Sequence, residues 1–109
     1  EQPMNKQLLQ RAKAKEMRTV RDWRRVLNLV EGRRVVWQLL LACGHRQEAF
    51  VPGDPEATAY HCGKRALGNE MEEVIRRADP QAYEQMRQEY EAELKQNQKE
   101  LENVEDEDE

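Results

Sequence analysis

The sequence has no long apolar run and no sustained alternation of apolar and polar residues. The first absence excludes a membrane span, which needs roughly 18–20 such residues. The second argues against half-buried strands. Only five glycines and four prolines punctuate the 109 residues, so helices have room to run, and the chain is expected to be all-α. The pair Leu8-Leu9 is too short for the apolar region of a signal peptide. With no secretion signal, the two cysteines are expected as free thiols in a reducing compartment. Also missing are a nucleophile–base arrangement, a glycine-rich phosphate loop and a convincing carboxylate pair. No enzyme activity, cofactor or small-molecule substrate is therefore expected.

What is present is charge. Charged residues make up 37% of the chain, almost equal to the hydrophobic 38%. That balance suits long solvated or partner-facing helices better than a large core. The net charge of −4 hides a strong polarity. Residues 1–34 carry ten Lys/Arg against four Asp/Glu, and residues 79–109 carry three against twelve. A basic arm and an acidic tail follow, serving different partners or each other.

The chain is organised around Glu31–Gly44. Val36, Leu39, Leu40 and Cys43 fall on one helical face. Val35, Trp37 and Leu41 widen that face, so this helix is expected to be buried on most sides. Gly44 stands where a helix end favours positive φ. Upstream, residues 4–17 read as a helical arm with a thin apolar patch, Leu8, Leu9 and Ala12. Thr19 reads as the N-cap of a second short helix carrying Val20, Trp23, Leu27 and Val30. Downstream, Phe50 and Val51 are expected to plug the core from a loop. Asp54-Pro55-Glu56 starts a helix to about Ala78, with Tyr60, Gly63, Leu67, Met71, Val74 and Ala78 in one stripe. Gly63 and Gly68 suggest close backbone approach. Asp79-Pro80-Gln81 starts a last helix with Tyr83, Met86, Tyr90, Leu94 and Leu101. Its end, residues 102–109, is an acidic tail expected to be mobile. The expected division is a basic helical arm over 1–18, a core of about four helices' worth over 19–90, and a projecting helix end with acidic tail over 91–109.

Two constellations bear on chemistry. Cys43-Gly-His45 and His61-Cys62 supply four ligand types for zinc. However, His61 and Cys62 are neighbours on a helix and diverge by about 100°, and no ligand pair has a chelating spacing. No metal site is expected, and a Cys43–Cys62 disulfide is disfavoured by the compartment. The second constellation is basic: Lys13, Lys15, Arg18, Arg21, Arg24 and Arg25 can track phosphates along one helix side. Aromatic residues are not interleaved with them, so any DNA contact would be non-specific. The alternative is a solvated face or an electrostatic mate for the acidic end of another copy. A small core with two extensions often borrows stability by oligomerising. Tyr90, Leu94 and Leu101 are the expected assembly contacts on the last helix.

The order of short patterns is familiar: Arg21-Asp-Trp-Arg-Arg-Val-Leu, Glu31-Gly-Arg-Arg-Val-Val-Trp-Gln-Leu-Leu, the Phe50 loop, Asp54-Pro-Glu-Ala-Thr-Ala-Tyr, Gly63-Lys-Arg-Ala-Leu-Gly68 and Asp79-Pro-Gln-Ala-Tyr83. Over roughly residues 20–90 the chain resembles a family of short helical proteins encoded in structural gene clusters of short-tailed bacteriophages, near portal and capsid genes. Cys62 departs from the family pattern, which more usually has an acidic residue before the glycine. The resemblance implies a non-enzymatic virion structural protein of a podovirus. It would be a homo-oligomer at the portal or tail vertex, or an internal head protein involved in DNA ejection. Its partners would be portal, tail or internal core proteins, and its location the virion, with the host cytoplasm during assembly. Glu31, Gly32, Arg33 and Arg34, at the mouth of the central helix, would then set the packing angle between the first two helices, and Arg33 or Arg34 would pair with acids of the Asp54 helix start or of a neighbouring subunit. The alternative is a phage nucleic-acid-binding accessory protein acting through the basic arm. A remote third reading is a zinc-stapled regulatory domain.

Overall fold

A computed structural model describes residues 3–107 as four helices with no strand among them: α1 (Pro3–Leu27), α2 (Val30–Ala42), α3 (Pro55–Ala78) and α4 (Ala82–Glu107). The protein is all-α, as its composition suggests. Glu1, Gln2, Asp108 and Glu109, the extremes of the expected arm and tail, lie outside the described residues.

The basic arm and the first amphipathic stretch form one continuous helix. Thr19 does not cap a helix. It lies mid-helix, and its hydroxyl donates to the Lys15 carbonyl one turn back at 3.0 Å, which satisfies the side chain without breaking the backbone ladder. The chain leaves α1 through a tight turn at Asn28-Leu29, with Leu29 extended at φ −98°, ψ 136°. At the crossing, a Cβ on Gly32 would stand 1.9 Å from the Val26 carbonyl oxygen. Only glycine lets α1 and α2 meet so closely.

α2 ends in a paired-bond cap. The N–H of Gly44 donates to Leu41 and that of His45 to Leu40, with Gly44 at φ +64°, the geometry that satisfies orphan carbonyls. α3 begins as its sequence predicts, with the Asp54 carboxylate accepting the Ala57 N–H at 3.0 Å. Asp79 accepts the Gln81 N–H at 3.1 Å before α4.

The core joins all four helices through Leu27, Val36, Leu40, Ile75, Ala78, Ala82, Tyr83 and Met86, with Val20, Trp23, Trp37 and Met71 packed at its edge. Leu27, Leu40, Ile75 and Met86 are fully buried, each worth roughly 1.5–3 kcal/mol of apolar transfer. Around this centre the molecule is a thin plate, 78 × 42 × 16 Å, with a radius of gyration of 19.9 Å. A compact chain of this length would have a radius near 13 Å.

The plate shape overturns several expectations. α2 is covered on one face only: Val35 is 60% and Leu39 50% exposed, because a layer this thin places no helix over its outer side. In α3 only the C-terminal half is packed; Tyr60 and Leu67 are exposed. A Cβ on Gly63 would meet nothing within 4 Å, whereas one on Gly68 would stand 3.2 Å from the Cys43 Cβ and the His45 Nδ1. Gly68 alone of the two serves close approach. Phe50 is no plug: it is 63% exposed and Ala49 is buried instead. Thr58 holds this loop, accepting the Val51 N–H at 2.9 Å. The acidic segment from Glu102 is helical through Glu107.

Candidate assembly surfaces and the basic face

Two arginines of the basic segment serve the fold. Arg24 Nε donates to the Ala78 carbonyl at the end of α3, at 2.9 Å. Arg33 Nη1 donates to the Leu27 carbonyl at the end of α1, at 2.9 Å, while its Nε donates to Glu89 on α4 at 2.8 Å. Both guanidinium groups satisfy carbonyls that a helix C-terminus leaves without partners, and both carry the charge that the helix dipole favours there. Arg33 is only 8% exposed, so it packs within the chain and pairs with Glu89 in place of the acids of the Asp54 helix start. Arg34 lies on the surface, 3.9 Å from Glu31 one turn away.

With Arg24 engaged at the end of α3, the remaining cations of α1 sort by helical angle. Arg11, Lys15, Arg18, Arg21 and Arg25 line the side opposite Val20 and Leu27, since spacings of 4, 7 and 14 residues return to nearly the same direction at 100° per residue. All five are exposed. Lys13 lies off this stripe, on the flank nearer the core side. From Arg11 to Arg25 the stripe runs about 21 Å at 1.5 Å per residue. Asp22 interrupts it, 3.8 Å from Arg21, and Glu16 faces away to bond Arg77 of α3 at 2.7 Å.

Between them, α2 and α4 enclose a cleft of about 640 Å³ lined by Val30, Arg33, Arg34, Trp37, Glu89 and Tyr90, among others. Trp37 stacks edge-on to Tyr83 at 5.4 Å between centroids and tilts against Tyr90 at 5.9 Å. Its indole N–H is buried with no acceptor among the described residues. Tyr90 is half-buried here, whereas Leu94 and Leu101 stand free on the helix beyond.

A polar cluster that sequence reasoning missed ties the α2–α3 loop to the core. Glu72 accepts from His45 Nε2 at 3.1 Å and from Arg46 Nη2 at 2.9 Å, with Arg76 at 3.6 Å. Arg46 Nε donates to the Tyr83 hydroxyl at 2.7 Å, and the guanidinium groups of Arg46 and Arg76 both lie over the Tyr83 ring. Burial pushes the Glu72 carboxyl up, but the hydrogen bonds from Arg46 and His45 and the nearby cations outweigh it and hold it below the ordinary carboxylate range. The Arg46 guanidinium is correspondingly raised by its bonds to Glu72 and Tyr83. Only the Glu72–Arg76 spacing of one turn is visible in the sequence. On α4, Arg87 bridges Glu84 and Glu91 along the exposed surface.

The four zinc-type residues do not converge. His45 is bound to Glu72, while His61 and Cys62 are exposed on α3. Both cysteines are free thiols. No group of three or more His, Cys, Asp or Glu side chains among the described residues can hold a metal ion, so the zinc-stapled reading lacks a ligand set there. No described helix is long and apolar enough to cross a membrane.

The model of the Bbp19-like phage protein family matches residues 23–88, more than half of the chain. The chain belongs to the Bbp19-like phage protein family. The matched span begins inside α1 and ends in the first turns of α4, so it takes in the packed centre. The phage relationship expected from the order of short patterns is thereby shown. No curated protein and no solved structure matches the chain. Within the Bbp19-like span lie the Gly32 crossing, the Arg24 and Arg33 caps and the Glu72 cluster. The arm and the acidic helix end fall outside it.

Proposed function

We propose that this Bbp19-like protein is a non-enzymatic structural component of the phage virion. It assembles from several copies at the portal or tail vertex, or inside the head as an internal protein that accompanies genome packaging and ejection. The observation that carries the reading is the family match over residues 23–88. The shape is compatible with it: a plate 16 Å thick leaves Leu8, Leu9, Leu39, Leu94 and Leu101 uncovered and open to contact with another protein. Mass determination in solution tests it, first on the protein alone and then mixed with a phage portal ring. A discrete oligomer or stoichiometric capture by the ring is the expected result. A monomer indifferent to the portal retires the vertex arrangement, and its absence from purified particles retires the virion role.

The basic stripe on α1 favours a second reading, a phage accessory protein that holds DNA through phosphate contacts. Five cations along about 21 Å match a duplex backbone in charge but read no bases. Under this reading, affinity for duplex DNA falls steeply with salt at constant oligomeric state, and Arg18→Ala with Arg25→Ala lowers that slope by about 2.

A further inference from the structure

We propose that the C-terminal end of α4 in one copy lies along the N-terminal end of α1 in a second copy, a contact that makes the arm and the acidic helix the two halves of one joint. The inference rests on the assembly reading above and names its contact.

Every side chain in residues 5–19 and 91–106 is exposed; Glu16 of the arm bonds Arg77 of α3, but neither end buries an apolar side chain on its own chain. The end of α4 nevertheless keeps a seam. Leu94, Asn97, Leu101 and Val104 recur at intervals of three and four, the spacing of a helix that packs against another helix. Leu94 is 49% and Leu101 65% exposed. Glu93 and Glu100 flank this seam on one side and Glu105 on the other. Pairing the seam with itself would therefore set acid against acid in either helix direction, which disfavours a tail-to-tail contact.

The arm has the opposite character. Leu8, Leu9 and Ala12 form its apolar patch, with Lys6 and Lys13 on one flank and Arg11 and Lys15 on the other. The two segments also match in length and charge. Residues 3–16 and 94–107 are 14 residues each, about 21 Å of helix. The first carries four basic residues against one acid, the second two against five. Apolar patch meets apolar seam while basic flanks meet acidic ones, the complementarity that sets partner choice and orientation between helices. Each copy offers one arm and one acidic helix end. The contact closes as a reciprocal pair or continues around a ring.

Charge reversal tests this. One variant reverses the tail by Glu100→Lys, Glu102→Lys and Glu105→Lys; the other reverses the arm by Lys6→Glu, Arg11→Glu and Lys13→Glu. All six positions are exposed, and circular dichroism verifies that both variants keep their helices. The wild type is expected at a multiple of 12.9 kDa, each variant alone at the single-chain mass, and their equimolar mixture back at a multiple, since every arm then faces a tail of opposite sign. A monomeric wild type overturns the proposal, as do variants that assemble unaided or a mixture that stays monomeric. With a duplex DNA probe, affinity lost only in the arm variant while all proteins stay monomeric assigns the arm to nucleic acid instead. Incorporation into particles is scored separately. Restored mass without incorporation leaves the joint standing and removes the virion reading; incorporation of a monomeric wild type does the reverse.

Discussion

Residues 20–90 and the two ends of the chain are built from the same good helix formers, yet only the first group buries anything. In the middle, apolar residues at helical spacing meet others from a second and third helix, and Leu27, Leu40, Ile75 and Met86 lose all contact with solvent. At the ends, Leu8, Leu9, Leu94 and Leu101 recur at similar spacing but face solvent. The difference is neighbours, not propensity. A helix short of 12–15 residues is marginal in water alone, and the ends extend helices whose other halves are already anchored. That anchoring continues each end as a helix, so that meeting another surface costs less ordering entropy than a loose segment would. The family match follows the same division: it covers the packed middle and stops short of both ends.

The comparison predicts that damage in the middle is expensive and damage at the ends nearly silent in folding. The largest effect is expected at the α1–α2 crossing. Gly32→Ala brings a methyl carbon to 1.9 Å from the Val26 carbonyl oxygen and 2.8 Å from its carbon, and backbone cannot rotate away as a side chain can. A loss on the order of 3–5 kcal/mol is expected in urea unfolding. A loss under 1 kcal/mol would mean the two helices slide freely and the centre is not the rigid part.

Arg33→Met comes next. It keeps most of the buried stem but abandons the Leu27 carbonyl and Glu89. Glu89 is one-third exposed at its side chain and can recover water, so the expected loss is about 2–4 kcal/mol rather than the full cost of a stranded charge. Arg33→Lys should recover less than half of it, because one ammonium does not span both acceptors as a guanidinium fork does. Full recovery would show that charge alone, without the fork, is what the site requires.

Glu72→Gln is smaller and depends on pH. The folded carboxyl sits below its ordinary value of 4.5, so its stabilisation is complete above that value and is lost as pH falls through the folded pKa. Wild type should exceed the variant by about 1 kcal/mol near neutrality, and the gap should close on acidification below roughly pH 4.5. A gap unchanged into strong acid would place the effect in packing, not in the charges around Tyr83.

How much of this was legible beforehand follows the same line. Helix starts after Asp54 and Asp79 and the Gly44 stop depend on local chemistry, and sequence carries that; the same sequence marks Gly63 and Gly68 alike for close approach, and only Gly68 meets another segment, at Cys43 and His45. The basic side of α1 was visible too, but not the removal of Arg24 from it. That depends on where the end of α3 falls, 54 residues away. For Arg33 the sequence suggested a part in packing the first two helices or a pairing with the Asp54 helix start; its actual partners, the Leu27 carbonyl and Glu89, depend on the fold. Phe50 was misplaced because apolar character predicts burial only where the fold supplies a second layer, and a plate supplies none. Thr19 misled for a simpler reason: the same hydroxyl caps a helix start or bonds back one turn, and nothing nearby breaks α1.

The smallest expected effect on folding carries the most information about the ends. Leu94→Ala with Leu101→Ala removes two exposed leucines and substitutes the best helix former, so unfolding of the isolated chain should move by less than about 0.5 kcal/mol. Self-association is a different matter. If these leucines form the seam of a joint between copies, the wild-type thermal midpoint rises with protein concentration, because assembly adds binding free energy to the folded state. The double variant should lose that dependence while keeping its helix content. A midpoint independent of concentration in both proteins would leave the two ends without each other as partners. A loss well above 1 kcal/mol in the dilute variant would instead mean that the α4 end supports its own core, and the contrast between a packed middle and free ends would fail at its C-terminal half.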